Sequence, residues 1–169
     1  IDEKLYIGTV ADVPASSGLG SSSTFCVGLL NALYKFKSEN VSVGRLAEEA
    51  AYIECDVLSR PMGKQDHYAA AYGGINYFSF HSDESVSIRP VIMTLDNLKL
   101  LSESIMMFWT GLTRPSESVL VEQNKNSARN CNILTILKEQ AYELSRTLSG
   151  NDISIVKIGD TLNKGWEYK

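Results

Sequence analysis

The 169-residue chain is 44% apolar and 21% charged, with a formal net charge of −4. That composition supports a globular core and offers no general basic surface for nucleic acid or an anionic membrane. No apolar run approaches the roughly 20 residues needed to span a bilayer, and no basic-then-apolar leader opens the chain. The odd number of cysteines, Cys26, Cys55 and Cys131, lies in helical patterns, which predicts buried free thiols in a reducing, cytoplasmic setting. His67 and His81 have no metal-ligand spacing to them.

In chain order, residues 2–12 read as a strand and 20–37 as a helix with Phe25, Leu29, Leu33 and Phe36 on one face. A second helix is predicted over 42–58, with Leu46, Ala47, Ala50, Ile53 and Val57 inward, broken by Arg60-Pro61-Met62-Gly63. A short helix over 64–72 ends at Gly73-Gly74. Residues 75–80 and 86–92 alternate as paired strands around the turn from His81 to Glu84, and 105–110 read as a further strand. Helices follow over 115–129, 131–148 and 152–169, with a Gly150-Asn151 turn between the last two. Trp166, Tyr68, Tyr72, Tyr77 and Phe78 are expected in the core. The change of character near 110–115 predicts a domain transition.

Three stretches carry candidate chemistry. Between the first strand and helix lies Pro14-Ala15-Ser16-Ser17-Gly18-Leu19-Gly20-Ser21-Ser22-Ser23. Glycines let such a loop aim backbone N–H groups at one anion, the helix N-terminus adds positive potential, and serine hydroxyls add donors or hard-cation ligands. The loop is neither a Walker A sequence nor a dinucleotide fingerprint. Glu54 and Asp66 stand twelve residues apart across the Pro61-Met62-Gly63 break. On a straight helix they would be separated by about 18 Å, but a sharp turn lets both face one cavity, as phosphoryl transfer requires of a metal-holding and a hydroxyl-orienting carboxylate. Lys64 reads either as a charge-neutralising cation or as an exposed lysine. Thr110-Gly111-Leu112-Thr113-Arg114 reads either as a capped turn or as a substrate loop whose arginine binds a phosphate.

The serine-glycine loop resembles the ATP-binding signature of the GHMP kinases. Glu54 followed by Gly63-Lys64-Gln65-Asp66 matches that family's acidic residue, glycine turn and aspartate. Phe108 to Arg114 resembles a segment of its heptose-phosphate and fucose kinase branch, and Leu162 to Lys169 a later segment from which Asn163 and Lys164 depart. His67 stands where sugar kinases of the family often carry glutamine.

The resemblance implies an α+β GHMP kinase fold, with helices on one side of a mostly antiparallel sheet. Residues 1–112 would be part of a ribosomal-protein-like N-terminal ATP-binding domain, and 113–169 would begin a ferredoxin-like C-terminal domain. It implies ATP and Mg²⁺. Pro14, Ser17, Gly18, Leu19, Gly20, Ser21, Ser22 and Ser23 would bind ATP phosphates, and Ser22 and Glu54 the metal. Asp66 would be the general base, assisted by Lys64. Asp66, Thr110, Gly111 and Arg114 would contact a small-molecule sugar or sugar phosphate, with D-glycero-D-manno-heptose 7-phosphate as the expected acceptor at its anomeric hydroxyl. A homodimer is compatible with these features. The alternatives are the same chemistry on fucose or galactose, or a truncated, non-catalytic nucleotide-binding module. A complete member is expected at about twice this length, with further substrate-contacting and glycine-rich motifs upstream and downstream.

Overall fold

The computed structural model describes residues 4–12, 17–111, 120 and 130–168. Pro14, Arg114, the helix expected over 115–129 and most of the expected domain transition lie outside the described residues.

Helix α1 (Ser21–Phe36) begins at Gly20, whose φ of 70° is left-handed, a backbone state that glycine adopts without Cβ strain. Its buried side chains are Ser23 and Val27. The expected stripe is displaced, since Phe25 and Phe36 are each 50% exposed. Small side chains on the inward face let α1 settle close to its neighbours, and the Cys26 Sγ lies 3.8 Å from the Ala50 carbonyl. Helix α2 (Val43–Tyr52) is capped by the Ser42 hydroxyl, which accepts from Arg45 N–H at 3.2 Å, and it buries Leu46, Ala47, Ala50 and Ala51.

The expected helix over 42–58 is not α-helical throughout. Residues Ile53–Val57 form a π-turn, closed by Leu58 N–H to the Ile53 carbonyl at 2.9 Å. Ser59 then takes a left-handed φ of 51°, and Arg60 N–H returns to the Glu54 carbonyl at 3.0 Å. This resembles a Schellman closure made one residue wider by the π-turn. Helix α3 (Gln65–Tyr72) follows and stops at Gly73, φ 62°. Helices α1, α2 and α3 pack on one another.

Strands β1 (Asn76–Phe80) and β2 (Val86–Pro90) form an antiparallel hairpin with Phe78 opposite Ile88. Helices cover both of its faces, which corrects the one-sided expectation. Phe78 and Phe80 meet Tyr68 and Tyr72 of α3, while Tyr77 on the other face meets Tyr142. Aromatic side chains at consecutive positions of β1 point both ways, so both faces need a partner.

Helix α4 (Leu95–Glu103), capped by the Thr94 hydroxyl, occupies residues the sequence reading left without a helix. Beyond it come α5 (Cys131–Leu148) and α6 (Ile155–Glu167), the latter capped by Ser154. Leu101, Leu148, Ile153 and Ile158 form their core, with Ile75, Val91 and Met93 packed against it. Asn97 ties α4 to the α5–α6 turn, donating to the Asn151 carbonyl at 2.8 Å. Arg89 lies 5.0 Å from the Tyr77 ring and 5.5 Å from that of Tyr142, and donates to the Ser145 hydroxyl at 2.9 Å.

Two expected strands are absent. Residues 4–12 and 105–110 have no strand partner among the described residues. Without a neighbour to take up backbone hydrogen bonds, an apolar extended run is not a strand. Trp166 is 75% exposed rather than core; Ile158, Thr161 and Gly165 mark the inward stripe of α6, and Trp166 lies about 100° off it. The thiols are free, but Cys131 is exposed and Cys26 and Cys55 only half-buried, because Cys131 opens α5 at its first turn. Among the described residues, no helix is long and apolar enough to cross a membrane.

Candidate active site

The first intrahelical bond of α1 runs from Thr24 N–H to the Gly20 carbonyl at 3.0 Å. The amides of Ser21, Ser22 and Ser23 precede it, and no side chain caps this end. They are therefore the first-turn donors that an anion can take up. Gly20 has a second role here. A Cβ at this position would come within 3.5 Å of the Asp66 carboxylate, so the loop and the first turn of α3 are in close approach.

Beneath that end lies Glu54, which is 3% exposed. Its position continues the buried small-residue stripe of α2, seven residues after Ala47 and four after Ala50. The two carboxylate oxygens have different partners. Oε2 faces His67 Nε2 at 2.8 Å, and His67 is fully buried. Oε1 accepts from the Ser22 hydroxyl and from Arg60 Nη1 at 2.6 Å. The same Nη1 also lies 2.6 Å from Ser22 Oγ.

An ionised carboxylate can only accept, so the imidazole donates through Nε2–H. Burial raises the Glu54 pKa, but hydrogen bonds from Ser22 and His67 outweigh it and hold the pKa below the ordinary value. Three buried polar atoms have no hydrogen-bond partner: Ser17 Oγ, Ser23 Oγ and His67 Nδ1. Two of them belong to the serine-glycine loop.

The sequence-predicted residues therefore divide. Ser22 and Glu54 are in direct contact, and Asp66, on the exposed side of α3, abuts Gly20. Two carboxylates twelve residues apart converge on the start of α1, as the turn between them requires. Lys64 instead pairs with Glu84 in the hairpin turn, beside a cleft of about 380 Å³ lined by Gly63, Gln65, Phe80 and His81. Thr110 is exposed, and Gly111 has a left-handed φ of 75° that suits a turn. Neither has a hydrogen bond to the Glu54 cluster among the described contacts.

Sequence reasoning missed the part that Arg60 and His67 play at Glu54. Arg60 read only as a helix breaker. His67 stood out only as a departure from the glutamine of related sugar kinases, although a histidine next to the predicted aspartate on a short helix must face the opposite way.

The sequence of residues 3–74 matches the family described as GHMP kinases N terminal domain. This stretch is a GHMP kinase N-terminal domain. It contains the loop, Glu54, Arg60, Asp66 and His67. The chain that carries this GHMP kinase domain is 27% identical over 165 residues to the D-glycero-alpha-D-manno-heptose 7-phosphate kinase of Campylobacter jejuni, covering 95% of this chain and 48% of that protein. It is 26% identical to the L-fucokinase/L-fucose-1-P guanylyltransferase of Bacteroides fragilis, over 96% of this chain and 18% of that protein. A crystal structure of a D-glycero-D-manno-heptose 1-phosphate kinase from Bacteroides thetaiotaomicron superposes with a TM-score of 0.74 at 30% identity, covering 93% of this chain and 45% of that one. The fold is thus the α+β fold of GHMP kinases, and the chain spans about half the length of the heptose kinases it matches.

Proposed function

We propose that this chain carries the ATP-binding half of a sugar kinase, which transfers the terminal phosphoryl group of ATP to a sugar hydroxyl. The observation that carries the reading is the convergence of Glu54 and Asp66 on the start of α1. One carboxylate is buried and bonded to Ser22, and the other is exposed against Gly20. The amides of Ser21 to Ser23 and the hydroxyls of Ser17 and Ser23 would take up phosphate oxygens. In return, the unpartnered buried hydroxyls would gain acceptors.

Mg²⁺ fits this site on the chemistry of its donors. Ser22 Oγ and Glu54 Oε1 are hard oxygens already in contact. No group of three or more His, Cys, Asp or Glu side chains able to hold a metal occurs among the described residues, so substrate phosphates and water would complete the shell, as is usual for this ion. When bound it would neutralise charge developing on the phosphates.

Asp66, exposed at the mouth, is placed to accept the proton of the attacking hydroxyl. Glu54, held ionised by His67 and Ser22, keeps negative charge at the loop without spending Asp66 on it. Lys64 would add positive charge only after leaving Glu84. Thr110, Gly111 and Arg114 would contact the acceptor. The free thiols fit a cytoplasmic setting.

For the acceptor we propose D-glycero-D-manno-heptose 7-phosphate, attacked through its anomeric hydroxyl. The support is the heptose kinase likeness in both sequence and structure, together with Arg114 as a phosphate-binding side chain. A fucose- or galactose-type acceptor is the second reading, favoured by the fucokinase and by a galactokinase of Pyrococcus furiosus that is 27% identical over 135 residues. The test is ADP release by the longest native polypeptide with Mg²⁺-ATP and heptose 7-phosphate, fucose and galactose as competing acceptors. Turnover confined to the heptose phosphate is expected. Turnover on another sugar replaces the substrate, and bound ATP without turnover on any acceptor removes the kinase reading.

A further inference from the structure

One cation is already present in the cluster. Arg60 Nη1 lies 2.6 Å from Glu54 Oε1 and 2.6 Å from Ser22 Oγ, and these two oxygens touch each other. A single positively charged nitrogen thus bridges the pair of oxygens that a hard divalent cation would ligate. We infer that Arg60 is a displaceable occupant of the metal position: it balances Glu54 when metal is absent and must swing away for metal to bind. The inference rests on the metal-holding role proposed for Ser22 and Glu54 and adds a competitor to it.

Three features support displacement over permanent structural pairing. First, the space is shared. A cation about 2.1 Å from each oxygen would overlap or nearly touch the guanidinium nitrogen, and like charges at that distance repel strongly. Second, the two anchors of Glu54 differ in kind. His67 on Oε2 is fully buried and fixed by packing, whereas the Arg60 side chain on Oε1 is 40% exposed and can leave into solvent without dragging core residues with it. Glu54 would therefore keep its orientation while its charge partner changes.

Third, the backbone aims Arg60 at the site from a turn rather than from a helix. The left-handed Ser59 and the Arg60 N–H bond to the Glu54 carbonyl fold the segment back over the π-turn. The guanidinium then returns to the side chain of the residue whose carbonyl its own amide already holds. With that backbone fixed, the side chain alone has to rotate.

The consequence is that the metal-free protein is self-neutralised and pays for metal entry by releasing Arg60. If the bridged state holds about nine molecules in ten, apparent metal affinity is lowered about tenfold. Mn²⁺, titrated into nucleotide-free protein and followed by electron paramagnetic resonance, reads this directly and without turnover. The native polypeptide, Arg60→Gln and Glu54→Gln are compared, and Mg²⁺ titration of the native protein is followed through the Arg60 guanidinium resonances, assigned by their loss in Arg60→Gln.

The expected result is about tenfold tighter Mn²⁺ binding in R60Q, none in E54Q, and release of the Arg60 resonances from their restrained state as Mg²⁺ saturates. Unchanged or weaker binding in R60Q, with E54Q still deficient, overturns the displacement and leaves the metal role of Glu54 standing. Guanidinium resonances unmoved at saturating Mg²⁺ overturn it as well. If the native protein binds no Mn²⁺ with or without ATP, the metal role fails and this inference with it. Should R60Q not fold, R60K is read in its place, since its ammonium lacks the planar fork of the guanidinium and is expected to bridge less well and bind Mn²⁺ more tightly than the native protein.

Discussion

The two halves of the described structure bury different things. Around α1, α2 and α3 the largest fully buried side chains are His67 and Ser23, with Glu54 beside them. Around α4, α5 and α6 the buried cluster is Leu101, Leu148, Ile153 and Ile158. An aliphatic core gains stability from every side chain it removes from water. A polar core gains only what its hydrogen bonds return, and each unpartnered atom in it costs. The three orphaned atoms all lie in the first half, so that half gives up stability for an arrangement that the second half does not need. The helical pair at the end of the chain is scaffold; the polar cluster is equipment.

That contrast is open to measurement, the largest effect first. Asp66→Asn is expected to lower turnover by about 10²- to 10⁴-fold with ATP affinity nearly unchanged, read by steady-state kinetics and nucleotide titration. Retained turnover would remove Asp66 from the base role. His67→Ala deletes a fully buried ring and strips Glu54 Oε2 of its donor. It is expected to cost about 3 kcal/mol in urea unfolding and to weaken Mn²⁺ binding by about tenfold or more.

Leu101→Ala is expected to cost about 2–4 kcal/mol with Mn²⁺ and ATP affinities unchanged. If L101A also weakened metal binding, the division into scaffold and equipment would fail. The halves should also differ in acid. The Glu54 pKa is depressed in the folded state, so its contribution is present above the ordinary value of 4.5 and is lost as pH falls through the folded value. Urea midpoints from pH 7 to pH 3 should therefore fall less steeply in Glu54→Gln than in the native protein. Smallest of all, Ser154→Ala removes the hydroxyl that accepts from Lys157 N–H at 3.3 Å and is expected to cost about 1 kcal/mol, read as a lowered Tm.

The sequence made the polar half legible as chemistry and the other half as helices, for different reasons. Gly20, Ser22, Glu54 and Asp66 were legible because tight phosphate loops and paired carboxylates need particular residue types at particular spacings. The burial of Glu54 was also readable, since it falls on the small-residue face with Ala47 and Ala50. Arg60 was not legible as a partner of Ser22, because the left-handed Ser59 that turns it back is a backbone state serine does not announce.

Residues 105–110 were misread because a short apolar run has no period of its own; Met106, Met107 and Phe108 are each more than 75% exposed, with no neighbouring strand. Helix α4 was obscured by four leucines in nine residues, although Thr94 and Asn97 stood in cap spacing. Helices α5 and α6 were found because their patterns are long and their turn, Gly150-Asn151, is explicit.

The π-turn at Ile53–Val57 makes chain length itself a determinant here. Such a turn holds one residue more than an ordinary helical turn, and every residue behind it is set by that surplus. A substitution scan across 53–58 keeps the count constant and would leave the surplus undetected. Excising a single residue, Asp56 for example, would let the helix wind regularly and rotate the following segment by about 100°, carrying Arg60 and His67 off Glu54 while every named side chain remained in the protein. Aligned family members that lack one residue opposite this stretch would therefore differ in how their acidic residue is held, however well the motifs on either side agree.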